Sequence, residues 1–370
     1  MAELVAIALP GGRAFVDALR RVWDDGDAAF PVDSRYPPAL AQAILDAVAP
    51  AWIVGNGGER VRRARGRPVD DGDALVVATS GSTGEPKAVV LTHDAVAASA
   101  WATSERLGVD PAADLWLACL PLAHVGGLSV VTRALVTETS LTVLPKFDPD
   151  DVMASGATLV SLVPAALRRI DPAPFRWIVL GGSAPPPSLP ANIVTTYGMT
   201  ETGSGVVYDG VPLSGVDVRV DDHAQIWLRG PMLLRVYRDG FDPKDRDGWF
   251  ATGDLGAWEP TVGHLTVYGR QGDLIITGGE NVWPEPVERV LLTHPGVADV
   301  AVAGLEDPEW GHVVTAYVVP ADAGAIPTLD ELRAYSKSEL PAHCAPRRVV
   351  VVTAIPRTSL GKIRRSELVR

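Results

Sequence analysis

The stretch Thr79-Ser80-Gly81-Ser82-Thr83-Gly84-Glu85-Pro86-Lys87 is the most informative part of this sequence. It follows the apolar run 75–78, so the pattern places a loop of small and hydroxyl residues at the end of a strand. Glycines let the backbone approach phosphate oxygens, hydroxyl groups add hydrogen-bond donors, and Lys87 adds positive charge. The spacing differs from Gly-x-x-x-x-Gly-Lys-[Ser/Thr], which excludes the P-loop of kinases and GTPases. The stretch predicts a polyphosphate site, with a solvated turn as the simpler alternative.

A second motif, Tyr197-Gly198-Met199-Thr200-Glu201-Thr202-Gly203, supplies groups that suit the same chemistry. The Glu201 carboxylate is a hard oxygen ligand of the kind that Mg²⁺ prefers. Thr200 can donate to a phosphate, and Tyr197 offers a flat apolar face to a nucleobase. Taken alone, Glu201 could equally be an exposed surface acid.

Two shorter motifs extend the pattern. Leu180-Gly181-Gly182-Ser183 ends the predicted strand 177–180, and Thr252-Gly253-Asp254-Leu255 offers a carboxylate that can accept hydrogen bonds from two ribose hydroxyls. Each of them would be an ordinary turn if it stood alone. Their order in one chain is what favours a nucleotide site.

The sequence as a whole has an α/β texture. Helical patterning occurs at 14–23 and 38–48, after which short apolar runs alternate with Ala-rich helical stretches, as in βαβ units around a largely parallel sheet. Period-2 segments then predict a small barrel-like β section. We expect a large domain over residues 1–269, a Gly-rich joint at 270–273 and a smaller α+β domain over 274–370, because 370 residues exceed one ordinary core.

Composition narrows the class of protein. A net charge of -12 argues against nucleic-acid or anionic-membrane partners, since both need clustered Lys and Arg. The only cysteines, Cys119 and Cys344, are far apart, which fits a reducing compartment, and no Cys-x-x-Cys pair suggests structural zinc. The most apolar stretch, 115–136, is interrupted by proline, histidine and arginine, and the first residues do not resemble a signal peptide. We therefore expect a cytoplasmic protein without stable membrane insertion.

Together these motifs resemble the adenylate-forming superfamily, which includes acyl-CoA synthetases, carrier-loading adenylation domains and firefly luciferase. The resemblance covers about residues 73–370. It implies that ATP, Mg²⁺ and a thiol co-substrate, coenzyme A, are used to activate a carboxylic acid as an acyl-adenylate. It assigns the triphosphate to Thr79, Ser80, Gly81, Ser82, Thr83, Gly84 and Lys87, the nucleoside to Ser183, Tyr197, Asp254 and Arg270, and catalysis to Thr200, Glu201 and, at the acyl site, His124.

The same resemblance gives the C-terminal part its role. In Pro-Arg-Thr-Ser-Leu-Gly-Lys-Ile-Arg-Arg, Lys362 matches a catalytic lysine that contacts the attacking carboxylate and the α-phosphate. Gly272 takes the position of the interdomain hinge, where relatives often have Asp or Lys, and Gly278 and Gly279 match the entrance for the pantetheine arm. A rotation at Gly272 would bring Lys362 to the site for adenylation and remove it for thioester formation.

The acyl site is assigned less directly. His124 in Pro121-Leu122-Ala123-His124-Val125-Gly126-Gly127 resembles a family residue that lines this site, together with Gly181, Gly182 and Gly198. Arg133 lies in an apolar stretch, so it needs an anionic partner, either an internal acid or a substrate carboxylate. This spacing and the short N-terminal part resemble the bacterial ligases that activate o-succinylbenzoate for menaquinone synthesis.

Other functions remain open at the level of sequence. A ligase for another aryl or fatty acid would keep every motif, and a carrier-loading adenylation enzyme would need a partner protein. A non-catalytic nucleotide sensor would have no use for Lys362. The sequence also leaves the oligomeric state open, with a homodimer as one option.

Overall fold

The fold is described from a computed structural model, which covers residues 2–55, 57–79, 87–186, 188–322, 324–357 and 363–369. Within these ranges the helices are α1 (Arg13–Asp24), α2 (Pro38–Val48), α3 (His93–Leu107), α4 (Val125–Val136), α5 (Pro149–Ala154), α6 (Pro164–Leu167), α7 (Pro284–Leu291) and α8 (Leu329–Glu339). The strands are β1 (Leu4–Ile7), β2 (Ala28–Pro31), β3 (Trp52–Val54), β4 (Arg60–Arg62), β5 (Asp73–Thr79), β6 (Lys87–Thr92), β7 (Leu115–Ala118), β8 (Ser140–Val143), β9 (Leu159–Leu162), β10 (Trp177–Leu180), β11 (Ile193–Gly198), β12 (Gly205–Tyr208), β13 (Val211–Pro212), β14 (Asp217–Val220), β15 (Gln225–Arg229), β16 (Val236–Tyr237), β17 (Phe250–Glu259), β18 (His264–Arg270), β19 (Ile275–Thr277), β20 (Glu280–Val282), β21 (Val297–Asp307), β22 (Gly311–Pro320) and β23 (Arg348–Val351).

The chain forms two compact units, each with its own core. The first unit comprises Met1–Gly182, Leu189–Asp217 and Leu228–Phe250, and the second comprises Ser183–Ser188, Val218–Trp227 and Ala251–Arg370. The architecture is the α/β class that the sequence predicted. The domain boundary at 270–273 stays a prediction.

The first unit is built on two seven-stranded sheets, in the orders β16-β6-β5-β2-β1-β3-β4 and β13-β12-β11-β10-β9-β7-β8. Strands at the centre of each sheet pair in parallel, as predicted, and so does the edge pair β7–β8, whereas the other outer pairs are antiparallel. The central strands β9 and β10 are short apolar runs that are almost entirely buried, which is typical of parallel strands covered on both faces.

Two helices fill the space between these sheets. Helix α3 contacts β5 and β6, α4 contacts β7 to β9, and the two helices contact each other. Helix α3 begins where the Thr92 hydroxyl accepts a hydrogen bond from the backbone of Ala95, and it ends at Gly108 in a left-handed conformation. Helix α4 follows His124 directly, so this packing fixes the residue at its start.

The second unit contains most residues of the two smaller sheets. A four-stranded sheet, β14-β15-β17-β18, occupies the region predicted as barrel-like. A second sheet has the order β20-β19-β22-β21, with β23 parallel to β22, and its core is completed by α7 and α8. Among the described residues, no helix has both the length and the apolarity needed to cross a membrane.

Candidate active site

The phosphate motif connects two strands of the first unit. Strands β5 and β6 pair in antiparallel fashion, and Thr79 is the register partner of Lys87. The Thr79 hydroxyl donates to the Lys87 carbonyl over 3.3 Å. Ser80, Gly81, Ser82, Thr83 and Gly84 lie outside the described residues, so their predicted phosphate contacts stay predictions. The described part fixes both ends of the loop at the same point of the sheet.

Tyr237 contacts both the Lys87 side chain and Glu201, the predicted metal ligand. Strand β16 pairs with β6, and Tyr237 is the register partner of Val89. The Lys87 ammonium lies 5.3 Å from the centre of the Tyr237 ring. The Tyr237 hydroxyl donates to Glu201 Oε1 over 2.9 Å. The structure therefore brings the phosphate motif and the second motif together.

Local hydrogen bonds position Glu201. It lies in a single 3-10 turn, Thr200–Thr202, immediately after β11. The Thr202 hydroxyl accepts from the Met199 amide at 2.9 Å and donates to the Ser204 carbonyl at 2.6 Å, which closes the turn. A carboxylate held in this way, with Oε2 left to a further ligand, fits Mg²⁺, which binds through one or two carboxylates together with phosphate and water oxygens.

The glycines of these motifs allow close packing of the strand ends. A Cβ atom on Gly181 would come within 2.6 Å of Thr196 Oγ1, and one on Gly198 would overlap the Ser204 carbonyl oxygen. Gly182 has a φ of +88°, which favours glycine. Ser183 comes next in the chain but belongs to the second unit. The nucleoside and acyl roles predicted for these residues and for Tyr197 stay predictions.

Arg133 is buried in the first unit without an acidic partner. It lies in the last turn of α4 and is 1% exposed. Its Nη2 donates to Ser204 Oγ over 3.3 Å, and its guanidinium carbon lies 4.7 Å from the centre of the Trp116 ring. Within the described part of the chain, its Nε and Nη1 atoms have no hydrogen-bond partner and no acid forms an ion pair with it. Burial lowers the pKa of Arg133, with a smaller opposing effect of Tyr208.

His124, at the other end of α4, contacts an acid from the N-terminal region. Its Nε2 lies 3.5 Å from Asp33 Oδ2. Asp33 is 5% exposed and also accepts three hydrogen bonds from Arg35, two from its guanidinium at 2.8 and 2.5 Å and one from its amide at 3.0 Å. Burial acts to raise the pKa of Asp33, but the hydrogen bonds and charge of Arg35 outweigh it, assisted by His124, and the pKa is lowered. His124 is thus positioned by an ion-paired carboxylate; its role in the acyl site stays a prediction.

The predicted ribose pair is formed in the second unit. Asp254 on β17 is the register partner of Arg270 on β18, and Arg270 Nε lies 3.0 Å from Asp254 Oδ1. The Asp254 amide donates to the Thr252 hydroxyl, which in turn donates to the Ile226 carbonyl. The pairing holds the two groups next to each other, and their binding of a ribose stays a prediction.

The hinge and thiol-entrance glycines lie close together in sequence in the second unit. Gly272 is in a 3-10 turn, Gln271–Asp273, and nothing lies within 4 Å of the position of a Cβ atom on it. Gly278 and Gly279 form the turn between β19 and β20, with φ values of +59° and +85°. A Cβ on Gly278 would come within 2.7 Å of the Trp310 ring. Their predicted roles are compatible with these positions but untested by them.

Lys362 lies outside the described residues, but the chain on both sides of it is anchored to the second unit. Arg357 pairs with Ile363 in an isolated bridge and donates to Asp299 Oδ1 at 2.7 Å. Arg365 forms ion pairs with three acids, Asp273 at 3.2 Å, Glu285 at 3.4 Å and Glu288 at 2.8 Å.

Comparison with known proteins agrees with this arrangement. Residues 58–238 match the AMP-binding enzyme profile, and residues 286–362 match the AMP-binding enzyme C-terminal domain. A probable 2-succinylbenzoate–CoA ligase of Mycobacterium tuberculosis strain CDC 1551 is 42% identical over 99% of this chain and 97% of its own length. The chain belongs to the AMP-binding enzyme family. The prediction of an adenylate-forming enzyme is thereby confirmed.

Further members of the AMP-binding enzyme family are similar over most of their length. A 2-succinylbenzoate–CoA ligase of Bacillus cytotoxicus is 34% identical over 79% of this chain and 69% of its own. The o-succinylbenzoate CoA synthetase of Bacillus subtilis, solved with the acyl-adenylate intermediate, superimposes with a TM-score of 0.85 at 27% identity, over 99% of this chain and 88% of that one. The same synthetase solved with ATP and magnesium ion gives a TM-score of 0.86 at 27% identity, over 99% and 89%.

Sequence reasoning missed three residues of this site. Tyr237 lies 150 positions from Lys87 and belongs to none of the motifs, and Asp33 and Arg35 lie in the weakly matched N-terminal part. A paired Asp and Arg in the turn before a helix was the one signal available for the latter two.

Proposed function

We propose that this AMP-binding enzyme is an ATP-dependent acid:CoA ligase. It converts o-succinylbenzoate, ATP and CoA into o-succinylbenzoyl-CoA, AMP and diphosphate through an acyl-adenylate. The class of reaction is supported by the relatives and by the meeting of Lys87 and Glu201 at Tyr237. ATP, Mg²⁺ and CoA are the small molecules that this chemistry requires.

One observation carries the choice of acid. Arg133 is fully buried, yet two of its three nitrogens have no partner among the described residues. An unpaired buried cation is costly, so this site favours a ligand that brings its own negative charge. o-Succinylbenzoate has two carboxylates, of which one is activated and the other remains an anion. We assign the carboxylate that does not react to Arg133, which the Ser204 hydroxyl contacts.

The first half-reaction joins two anions. A carboxylate oxygen of the acid attacks the α-phosphorus of ATP, and the bond from that phosphorus to its bridging oxygen breaks, which releases diphosphate. Bound Mg²⁺, held by Glu201, would offset charge on the phosphates. Lys87 and the loop that precedes it hold the β- and γ-phosphates, Asp254 and Arg270 hold the ribose, and Lys362 stabilises charge at the α-phosphate.

The second half-reaction moves the acyl group to sulfur. The CoA thiolate attacks the acyl carbon, the bond from that carbon to the AMP oxygen breaks, and AMP leaves with the electron pair. Lys362 must leave the site for this step, and Gly272 provides the swivel, while Gly278 and Gly279 admit the pantetheine arm.

The location of the enzyme is inferred from its thiols. Cys119 is buried and unpaired, and burial raises its pKa to about 12, so it is an inert thiol rather than half of a disulfide. Cys344 is also a free thiol. Both fit the reducing cytoplasm, where ATP and CoA are available.

A panel assay tests the proposed function. AMP release would be measured with ATP, Mg²⁺ and CoA against o-succinylbenzoate, benzoate, other aryl acids and medium-chain fatty acids. We expect AMP and a thioester with o-succinylbenzoate, and at least a hundredfold lower activity with benzoate, which lacks the succinyl chain and its carboxylate. Activity with fatty acids alone would overturn the choice of acid while keeping the chemistry. Adenylate formation without transfer to free CoA would instead indicate a carrier-loading enzyme.

A further inference from the structure

Tyr237 lies between the two charged groups that the proposed function brings to the triphosphate. It is on the short strand β16, whose pairing with β6 makes Tyr237 the partner of Val89. Because side chains alternate along a strand, Lys87 projects from the same face of β6 as Val89 and is a diagonal neighbour of Tyr237. The sheet register therefore fixes the contact between the Lys87 ammonium and the Tyr237 ring, at 5.3 Å.

The other end of the same side chain holds the acid. The Tyr237 hydroxyl donates to Glu201 Oε1 at 2.9 Å, and Glu201 is itself fixed because its carbonyl accepts from the Leu234 amide at 2.7 Å. The Phe241 ring lies parallel to the Tyr237 ring, with 6.4 Å between the ring centres. The phenol is thus constrained at its face and at its hydroxyl.

The two charges do not neutralise each other. Lys87 and Glu201 are both described residues, and they form no ion pair with each other or with any other described side chain. A direct ion pair would occupy the groups that triphosphate and metal need, and it would have to be broken when they bind. Tyr237 contacts both charged groups more weakly, Lys87 through a cation–π contact and Glu201 through one hydrogen bond.

We propose that Tyr237 is a positioning residue for two groups. Its hydroxyl holds Glu201 Oε1 so that Oε2 faces the metal, and its ring holds the Lys87 ammonium at a fixed distance from Glu201. This inference rests on the proposed function, since it concerns the binding of Mg²⁺ and ATP. Without the hydroxyl, the Glu201 carboxylate would populate several rotamers. Metal binding would then have to select one of them, and this entropic cost would weaken the Mg²⁺-dependent binding of ATP. Without the ring, Lys87 would also lose its contact.

Calorimetric titration of ATP, with and without Mg²⁺, tests this proposal. In the wild-type protein we expect Mg²⁺ to tighten ATP binding. In Tyr237→Phe we expect the gain in ATP affinity due to Mg²⁺ to fall about tenfold, because one hydrogen bond to a charged acceptor is lost. The ATP affinity without Mg²⁺ should stay within about twofold of wild type. Tyr237→Leu should weaken ATP binding under both conditions, because Lys87 loses the ring.

Two further variants complete the experiment. Tyr335→Phe is the matched control, because it removes a hydroxyl that contacts Thr293 in the second unit, and it should behave as wild type. In a Glu201→Ala background, Tyr237→Phe should have no further effect on the Mg²⁺ gain if it acts through Glu201.

The outcomes distinguish a failure of this inference from a failure of the proposed function. A wild-type protein that binds ATP more tightly with Mg²⁺, together with an unchanged gain in Tyr237→Phe, would overturn this inference alone. A full Tyr237→Phe effect in the Glu201→Ala background would also overturn it. A wild-type protein that does not bind ATP would overturn the proposed function and this inference with it.

Discussion

At the scale of single residues, Arg133 is a buried cation without an acidic partner among the described residues. A charged group in an apolar helix was visible in the sequence, and the sequence left open whether its partner was internal. The structure supplies a hydroxyl and an aromatic ring but no acid among the described residues. This is the arrangement expected for a group whose partner is a ligand.

We predict that Arg133→Met separates stability from substrate use. Methionine has a similar length and no charge to bury, so the free energy of unfolding of the free enzyme should rise by about 1–3 kcal/mol. The kcat/KM for o-succinylbenzoate should fall at least a hundredfold, with the KM for ATP nearly unchanged. Chemical denaturation and steady-state kinetics measure these two effects.

Arg168→Met is the control for this variant, because Arg168 is an exposed arginine, and it should change neither quantity. A variant of Arg133 that lost stability and kept its activity with o-succinylbenzoate would show that the arginine is structural.

Glu285 provides a prediction about pH. Burial raises its pKa to about 7, with a further contribution from the charge of Glu288, and Arg365 acts in the opposite direction. Because this value lies above the ordinary one, the folded protein binds more protons than the unfolded chain between about pH 4.5 and 7, and stability falls as pH rises through that range. Glu285→Gln should remove part of this decrease. Thermal melts from pH 5 to 8 measure it.

The control for this pH dependence is Glu306→Gln, since Glu306 is exposed, and its melts should follow those of wild type. Parallel pH curves for wild type and Glu285→Gln would contradict the raised pKa.

At the scale of elements, the bounds of helices and strands were predicted best where proline or glycine marks their ends. Helix α2 and strand β10 have the predicted bounds, because proline begins the helix and two glycines follow the strand. Strands β1 and β2 were missed, since short buried parallel strands show no alternation and resemble pieces of helix. The contact of Tyr237 with Lys87 depends on the pairing of β16 with β6, which no local pattern contains.

The segment after Lys362 is anchored by one arginine. Arg365 donates to the carbonyl of Val302 and to Glu288, which is 6% exposed. We predict that Arg365→Met lowers the free energy of unfolding of the second unit by about 3–5 kcal/mol, because it leaves buried acids without a cation. Denaturant titration measures this loss.

The adjacent Arg364 is a suitable control. It forms an exposed i,i+3 ion pair with Glu367, so Arg364→Met should cost less than about 1 kcal/mol. Equal losses in the two variants would show that the acid cluster does not anchor this segment.

At the scale of the whole molecule, the proposed mechanism uses two arrangements of the chain. The family and the reaction class could be predicted from the motifs, because their residues are consecutive in sequence. Whether Gly272 acts as a swivel could not be predicted, since that depends on the relative energies of two arrangements rather than on a local pattern.

We predict that Lys362→Ala separates the half-reactions. Adenylate formation should fall by at least a thousandfold, because a cation at the α-phosphate is lost, whereas thioester formation from supplied acyl-adenylate should stay within about threefold of wild type. Single-turnover assays of each step measure this. Lys337→Ala, on the exposed face of α8, is the control, and equal loss of both steps in Lys362→Ala would contradict the two-arrangement mechanism.

The most direct test of the account is to look for its intermediate. The enzyme would be mixed with o-succinylbenzoate, ATP and Mg²⁺ without CoA, and the quenched mixture analysed by mass spectrometry. We predict stoichiometric o-succinylbenzoyl-adenylate and diphosphate, and conversion of that adenylate to the CoA thioester and AMP when CoA is added. Formation of ADP and phosphate, or of thioester without any adenylate, would contradict the account.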